Sequence, residues 1–440
     1  MIQKNKKRLI LVELNEINFD VVKNYIQQNI ALPGFKKIID DGIQVTNAEK
    51  EYDNLEPWIQ WPSVHFGKKF HEHKIFRLGD AVNYHEKQIF EKVEEKGFKV
   101  GAISPMNAKN DLKQPSYFIP DPWTKTPSDK SFLSKSITDA IVQAVNDNSQ
   151  SKLTIKTIFN LAVSFFALVS PKKYIHMFIY AINAIGKPWR KALFLDKLLY
   201  EIHKTLFYRK NPQFSTIFLN AGAHIQHHYF FNSSGLKNIN LKNPDWYIND
   251  NDDPFLEMLL VYDSMLLDLL EIDDAEIIIA TGLSQKPYER LKFYYRLKDH
   301  AKFLERIGIT FREVMPRMTR DFLISFESSK DAKIAEDKLS NIYVDDGQKL
   351  FNQIDNRGKE IFVVMTYPNE IFKHSYIMIN DEKLLLNEHV VFVAIKNGEH
   401  QNKGYAYYTN GLKKFAPPPN SHVSEIHDVV MKFFINILPQ

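Results

Sequence analysis

The sequence predicts an α/β protein built on a doubly wound mixed sheet with helices on both faces and an inserted helical hairpin. Three observations predict it. Short β-branched or aromatic runs, Leu9–Leu14, Val100–Ser104, Thr216–Asn220, Ile277–Thr281 and Glu360–Met365, read as central strands buried on both faces. Between them lie stretches with apolar spacing near about 3.6 residues: Asp20–Gln28, Gln88–Lys96 with Gly97 as its stop, Ser131–Asn146 and Glu257–Leu270. Strands that alternate with helices give a doubly wound sheet. The third observation is a change of texture after about Gly308. There Arg317–Phe326 and Ile342–Ile361 read as alternating strands around a charged helix, Asp331–Leu339, and Pro417, Pro418 and Pro419 precede a terminal helix, His422–Leu438. The expected division is an N-terminal part of the α/β domain over 1–150, a helical insertion over 151–212, and a C-terminal part over 213–440 with a β-rich subregion near 309–370.

Composition narrows the function classes. A chain of 440 residues with 44% hydrophobic side chains can bury a sizeable core. Its 57 basic and 53 acidic residues give a net charge of +4, too nearly balanced for the strong field that nucleic acid demands. With no cysteine there is no disulfide, thiolate metal site or Cys nucleophile. Lys4, Lys6, Lys7 and Arg8 precede an apolar run, but Leu9–Val12 is far shorter than a signal-peptide core, so the expected location is cytoplasmic.

The middle of the chain departs from the α/β pattern. Thr157–Pro171 and Tyr174–Gly186 carry no Lys, Arg, Asp or Glu and are separated by Lys172 and Lys173. A membrane-spanning helix needs about 20 apolar residues, so neither is long enough alone. They predict a helical hairpin capping the sheet. The alternatives are a peripheral membrane contact through 153–190, at the inner membrane, using Phe165, Phe166, Phe178 and Trp189 beside Lys and Arg, or a homodimer face.

Five segments carry the chemistry. Arg8–Asp20 reads as a first strand with a turn holding Asn15. Glu56-Pro57-Trp58-Ile59-Gln60-Trp61-Pro62-Ser63-Val64-His65-Phe66-Gly67 reads as a loop and leads to Phe70-His71-Glu72-His73. Phe218–His224 places Asn220 four residues before His224. Ile277–Gln285 ends in Gly282, Leu283, Ser284 and Gln285, and Asn397–Tyr405 contains His400. In this order the segments resemble the alkaline phosphatase superfamily, in particular its type I phosphodiesterase and nucleotide pyrophosphatase branch. The resemblance implies a metal-dependent phosphate or sulfate ester hydrolase or transferase with Asn15, Trp58, Asn220, Gly282 and Leu283 at positions where the superfamily carries ligands and its nucleophile.

On that frame the metal candidates are His224 and His228, four apart on one helix face, with His400 from the late loop. Three imidazole nitrogens suit one zinc-like ion with an open position. Catalytic candidates are Gln60, Ser63 and His65, with His65 or His73 as a base for Ser63. Asn15, Glu56, Trp58, Asn220, Ser284 and Gln285 are the substrate-binding candidates. For Glu56, Gln60 and His65 the bland reading is structural, because a Trp-rich buried segment needs polar partners. Leu283 cannot coordinate a cation and Asn15 does so weakly, so the expected site has one metal or none. Three functional readings remain: a divergent esterase acting on a glycan or nucleotide-sugar precursor, a degenerate member that only binds such a ligand, and a membrane-surface assembly protein of polysaccharide biosynthesis.

Overall fold

The computed structural model describes residues 8–146, 155–237, 239–317 and 320–438. The chain forms two compact units. One comprises residues 1–240, 248–287 and 398–440; the other comprises 241–247 and 288–397. Fifteen strands are named in chain order: β1 (Arg8–Leu14), β2 (Gln44–Asn47), β3 (Val100–Ile103), β4 (Tyr117–Ile119), β5 (Phe214–Leu219), β6 (Ala275–Ala280), β7 (Ser284–Leu297), β8 (Glu313–Pro316), β9 (Asp321–Ser325), β10 (Phe351–Asn356), β11 (Glu360–Met365), β12 (Tyr376–Ile379), β13 (Glu382–Leu385), β14 (Val390–Gln401) and β15 (Lys403–Tyr408).

The larger unit holds a seven-stranded sheet in the order β2-β15-β6-β1-β5-β3-β4. Its centre is parallel: β1 pairs with β5 and β6, and β3 with β4 and β5, while β15 runs antiparallel to β6 and β2. All seven residues of β1 are buried, as its two-sided apolar run predicts. Alternation along the strands divides the core. Leu9, Leu11, Ala406 and Tyr408 face a cluster built with Trp61, Val64, Phe90, Val430 and Phe434, so the helices Pro57–Phe66, Ile89–Glu94 and Ile426–Asn436 cover that face. Tyr405 points the other way and meets Phe19 of the helix Phe19–Gln27, with ring centroids 5.4 Å apart. Helices therefore lie on both faces of a mixed sheet.

Register brings the site residues to one edge. Leu14 is paired with Leu219, and Glu13 with Ala280, so β1, β5 and β6 end together. Asn15, Asn220 and Thr281 emerge side by side beyond them. Because β15 runs antiparallel, with Ala406 beside Ala280, its first residue and the preceding Gln401 and His400 lie at that same edge. Carboxyl ends of parallel strands are where such sheets place their ligands.

Pro57–Phe66, which the motif reading treats as a loop, is a helix. Pro62 sits inside it and has no N–H to reach the Trp58 carbonyl, which accepts a 2.8 Å bond from Asn107 Nδ2 instead. Gly67, at φ 71°, closes the helix in the left-handed region. In the middle of the chain lie the helices Ile155–Leu168, Tyr174–Asn183 and Pro188–Lys210; residues 151–154 of the expected 151–212 range lie outside the described residues.

The smaller unit carries a four-stranded antiparallel sheet, β10-β11-β9-β8, with the helix Ser329–Ser340 on it, and the hairpin β12-β13 turned by Asn380 and Asp381 at positive φ. It is wider than the 309–370 subregion expected from sequence. Glu360–Met365 is a strand, but of this sheet and not of the central one, because an apolar run does not encode its partner. After its first visit at 241–247, the chain enters the unit again along β7 and leaves along β14.

Candidate functional site

At the carboxyl end of β1 the chain turns through Glu16, a non-glycine residue in the left-handed region at φ 64°. Such a conformation is uncommon for a residue of this size and persists where surrounding contacts hold it. Here Glu16 N–H donates to the Thr281 carbonyl at 3.1 Å, and Gln226 Nε2 donates to the Glu16 carbonyl at 2.8 Å. The turn delivers a fully buried carboxylate to the strand ends.

That carboxylate meets two imidazoles. Glu16 Oε2 lies 3.2 Å from His227 Nε2 and 3.1 Å from His400 Nε2, and the two Nε2 atoms are 3.2 Å apart. The three atoms form a nearly equilateral triangle. A four-coordinate zinc-like ion with bonds of about 2.0–2.1 Å sets neighbouring ligand atoms about 3.3–3.4 Å apart, so the triangle matches one face of such a shell closely. Outer partners fix the rings. His227 Nδ1 lies 3.2 Å from the Gly398 carbonyl, which as an acceptor takes the Nδ1 proton and leaves the Nε2 lone pair facing Glu16. Glu56 Oε2 lies 3.5 Å from His400 Nδ1 and favours the same tautomer there. Three electron pairs thus converge on one point, and a cation or an extra proton is needed to hold them.

The acid's titration fits this convergence. Burial pushes the Glu16 carboxyl up, but when the rings carry the extra proton the charges of His400 and His227 and their hydrogen bonds outweigh it and hold Glu16 well below the usual carboxylate range. Gln285 Nε2 donates to the same oxygen at 2.5 Å and to the Ala223 carbonyl at 3.0 Å. Gly398 is needed at this point, because an added Cβ would stand 2.2 Å from Gln285 Oε1 and 2.7 Å from the Gln226 carbonyl.

Beside the triangle lies a locked amide pair. Asn15 Nδ2 donates to Asn220 Oδ1 at 2.9 Å and to Glu16 Oε1 at 3.1 Å, while Asn15 Oδ1 accepts from Trp61 Nε1 at 2.8 Å. Trp61 is fully buried under Gly282, whose φ of 72° disfavours a side chain and at which an added Cβ would stand 3.2 Å from the indole. Asn220 precedes the helix Ala221–Tyr229, whose first amides are taken by Asp196: Ala221 N–H at 2.7 Å and Asn220 N–H at 3.3 Å. Burial pushes the Asp196 carboxyl up to about 6, against these bonds and that of the Tyr262 hydroxyl.

Of the sequence candidates, Asn15, Glu56, Asn220, Gln285 and His400 come together here. Ser284 is adjacent: its Oγ donates to the Lys403 carbonyl at 2.5 Å and accepts from Gln401 Nε2 at 2.9 Å. His224 and His228 share a helix face as expected, with ring centroids 4.8 Å apart, but His400 is grouped with His227 and Glu16 rather than with them. On a helix, residue 227 points about 100° away from 228, and that turn carries it to Gly398. Trp58 sends its indole N–H to the Phe76 carbonyl at 3.1 Å. Gln60 Nε2 donates to the Asn54 carbonyl at 2.8 Å and its Oε1 accepts from Glu49 N–H at 3.3 Å, so its amide ties down the preceding loop.

Ser63 and His73 do pair, at 2.9 Å, but in the wrong sense for a nucleophile. His73 Nδ1 accepts the Ile75 N–H at 3.0 Å, which leaves the ring proton on Nε2 and makes Ser63 Oγ its acceptor. The Ser63 hydroxyl in turn donates to the Ile59 carbonyl at 3.1 Å. Burial lowers His73 to about 4, so it stays neutral. Ser63→Ala should therefore cost about 1 kcal/mol of stability and leave turnover within about twofold, checked by urea unfolding and initial rates. His65 is likewise fully buried, on Glu13. Sequence reasoning missed Glu16 and His227; the left-handed turn after β1 is the one feature that singles out Glu16, and a sequence does not display it.

No protein-family model matches the chain, and no curated protein matches it. Solved structures similar to it include a phosphonoacetate hydrolase from Sinorhizobium meliloti 1021, at 12% identity and TM-score 0.42 over 97% of this chain and 95% of that one. Murine ectonucleotide pyrophosphatase/phosphodiesterase 5 matches at 11% identity and TM-score 0.40, over 98% and 96%. The alkaline phosphatase of the Antarctic bacterium TAB5 matches at 9% identity and TM-score 0.43, over 99% and 100%. These name what the chain is similar to; the chemistry rests on its own side chains.

Proposed function

We propose that the chain is a hydrolase or transferase acting on a phosphate or sulfate ester, with one divalent metal ion of the zinc class held by Glu16, His227 and His400. The observation that carries this reading is the triangle of ligand atoms with both imidazole Nδ1 atoms turned to outer acceptors. Such an ion would supply Lewis acidity and an acidified bound water. Glu56 orients His400, and Gly398 orients His227. Asn15 and Asn220 are neutral and bonded to each other, so beside such an ion they would offer no charged cage for a second one. The substrate class proposed with this reading is a glycan or nucleotide-sugar precursor ester.

Metal analysis of the purified protein tests the reading. About one equivalent of a zinc-class ion is expected in the parent, and His227→Ala with His400→Ala should lose it while the far-ultraviolet circular dichroism is unchanged. Absence of metal from the parent, or full occupancy in the double variant, would overturn the assignment. Activity on generic aryl phosphates should be weak or absent, and turnover of a specific ester should depend on His227 and His400 more than on Ser63. Trapping a covalent adduct on Ser63 would reverse that order.

A further inference from the structure

Between Asp147 and Asp196 the chain has no acidic residue and seven basic ones, so this stretch carries +7 while the rest of the protein nets −3. It contains the helices Ile155–Leu168 and Tyr174–Asn183, joined through the tight turn Pro171–Lys173 with Lys172 and Lys173 exposed. A helix that packs on a protein turns its apolar stripe inward. Tyr174–Asn183 does so through Met177, but it presents a second apolar stripe outward. Ile175, Phe178, Ile179 and Ile182 recur at intervals of three and four residues and are all exposed; Ile175 retains 75% of its accessible surface. Phe166 from the neighbouring helix is exposed as well and lies 6.5 Å from the Phe178 ring, so the two helices share one apolar patch. Patches of this kind on a soluble surface mark a docking site.

We propose that this hairpin docks the protein onto an anionic membrane surface, with the Ile175–Ile182 stripe entering the interface and Lys172 and Lys173 on the headgroups. Charge selects the occupant. A two-fold dimer would set the patch against itself, bringing Lys172 and Lys173 toward another cationic copy with no acidic side chain of the segment to neutralise them. An anionic bilayer supplies both the apolar phase and the opposite charge. Lys187 and Arg190 at the base of the hairpin are already paired, with Asp252 and Glu257 at 2.7 Å each, so the turn lysines carry the headgroup contact. Among the described residues no helix is long and apolar enough to cross a membrane, which makes the contact interfacial.

Flotation of the full chain with vesicles tests the proposal. Binding is expected to vesicles of phosphatidylcholine mixed with phosphatidylglycerol, to weaken with added salt, and to be slight on phosphatidylcholine alone. Lys172→Glu with Lys173→Glu should weaken it by about 30-fold or more. Ile179→Glu with Ile182→Glu should reduce it to background without lowering Tm, since both side chains are exposed. Failure to float with the anionic vesicles would overturn the proposal. So would a concentration-dependent dimer in sedimentation that the Ile179→Glu, Ile182→Glu variant abolishes, which would assign the patch to a second copy of the chain.

Discussion

Glu16→Gln should strip the protein of its metal and lower turnover of any accepted ester by at least about 1,000-fold, the scale lost when a central electrostatic element is removed. The change keeps the side chain's size, so its hydrogen bonds with Asn15 and Gln285 have partners to rearrange to, and Tm should move little. What is lost is the charge at the corner of the triangle. The pH dependence separates this corner from the other two. Glu16 is held well below the usual carboxylate range, so it stays ionised throughout the interval in which imidazoles titrate. A metal must displace protons from His227 and His400, so affinity should fall as pH is lowered through the interval in which these rings protonate, by up to about 100-fold per pH unit when both do so. Isothermal titration with zinc over this range checks the slope. A Glu16→Gln protein that keeps stoichiometric metal and full turnover would remove Glu16 from the site.

The sheet and its helices were legible because their signals are local. Leu9–Leu14, Val100–Ser104 and Ile277–Thr281 each lie within two residues of the observed strands, and the start of the Gln88–Lys96 helix is explained by a capping box between Gln88 and Glu91. The antiparallel edge formed by β15 and β2 was not legible, since Lys403–Tyr408 carries no apolar alternation that distinguishes it from a loop end. The order of the motif segments placed Asn15, Asn220 and His400 together at the strand ends, and there they converge as the strand register requires. Which atoms meet there depends on quantities that a sequence does not carry. The backbone of Glu16 crosses into the left-handed region, and the helix Ala221–Tyr229 is phased so that His227 rather than His224 faces Gly398. A shift of one residue at β1 and three at the helix moves the triangle from the expected side chains to their neighbours. The Trp58–His65 segment misled for a related reason: its polar residues look like a reaction loop, whereas a helix interrupted by Pro62 turns Gln60, Ser63 and His65 into the interior.

His65 gives the sharpest separation of structural from catalytic roles. Its Nε2 lies 3.1 Å from Glu13 Oε1, the same oxygen accepts from the Thr216 hydroxyl at 2.8 Å, and neither Glu13 nor His65 has any exposed surface. Glu13 Oε2 and His65 Nδ1 have no hydrogen-bond partner, so the pair is only half satisfied within an otherwise apolar layer that includes Phe90. Removing one member of such a pair strands the other, which typically costs about 3–5 kcal/mol, whereas replacing both by apolar groups of similar volume is often neutral. His65→Leu should therefore destabilise the protein by about 3–5 kcal/mol, and Glu13→Met combined with His65→Leu should recover most of that loss, giving a strong coupling in a double-mutant cycle measured by urea unfolding. Turnover per folded molecule should stay within about threefold in the double variant, because a fully enclosed imidazole on the interior of the sheet has no path to a substrate at the strand ends. A His65→Leu protein with parental stability and abolished turnover would instead make His65 a participant in the reaction and move the chemistry beneath the sheet's edge.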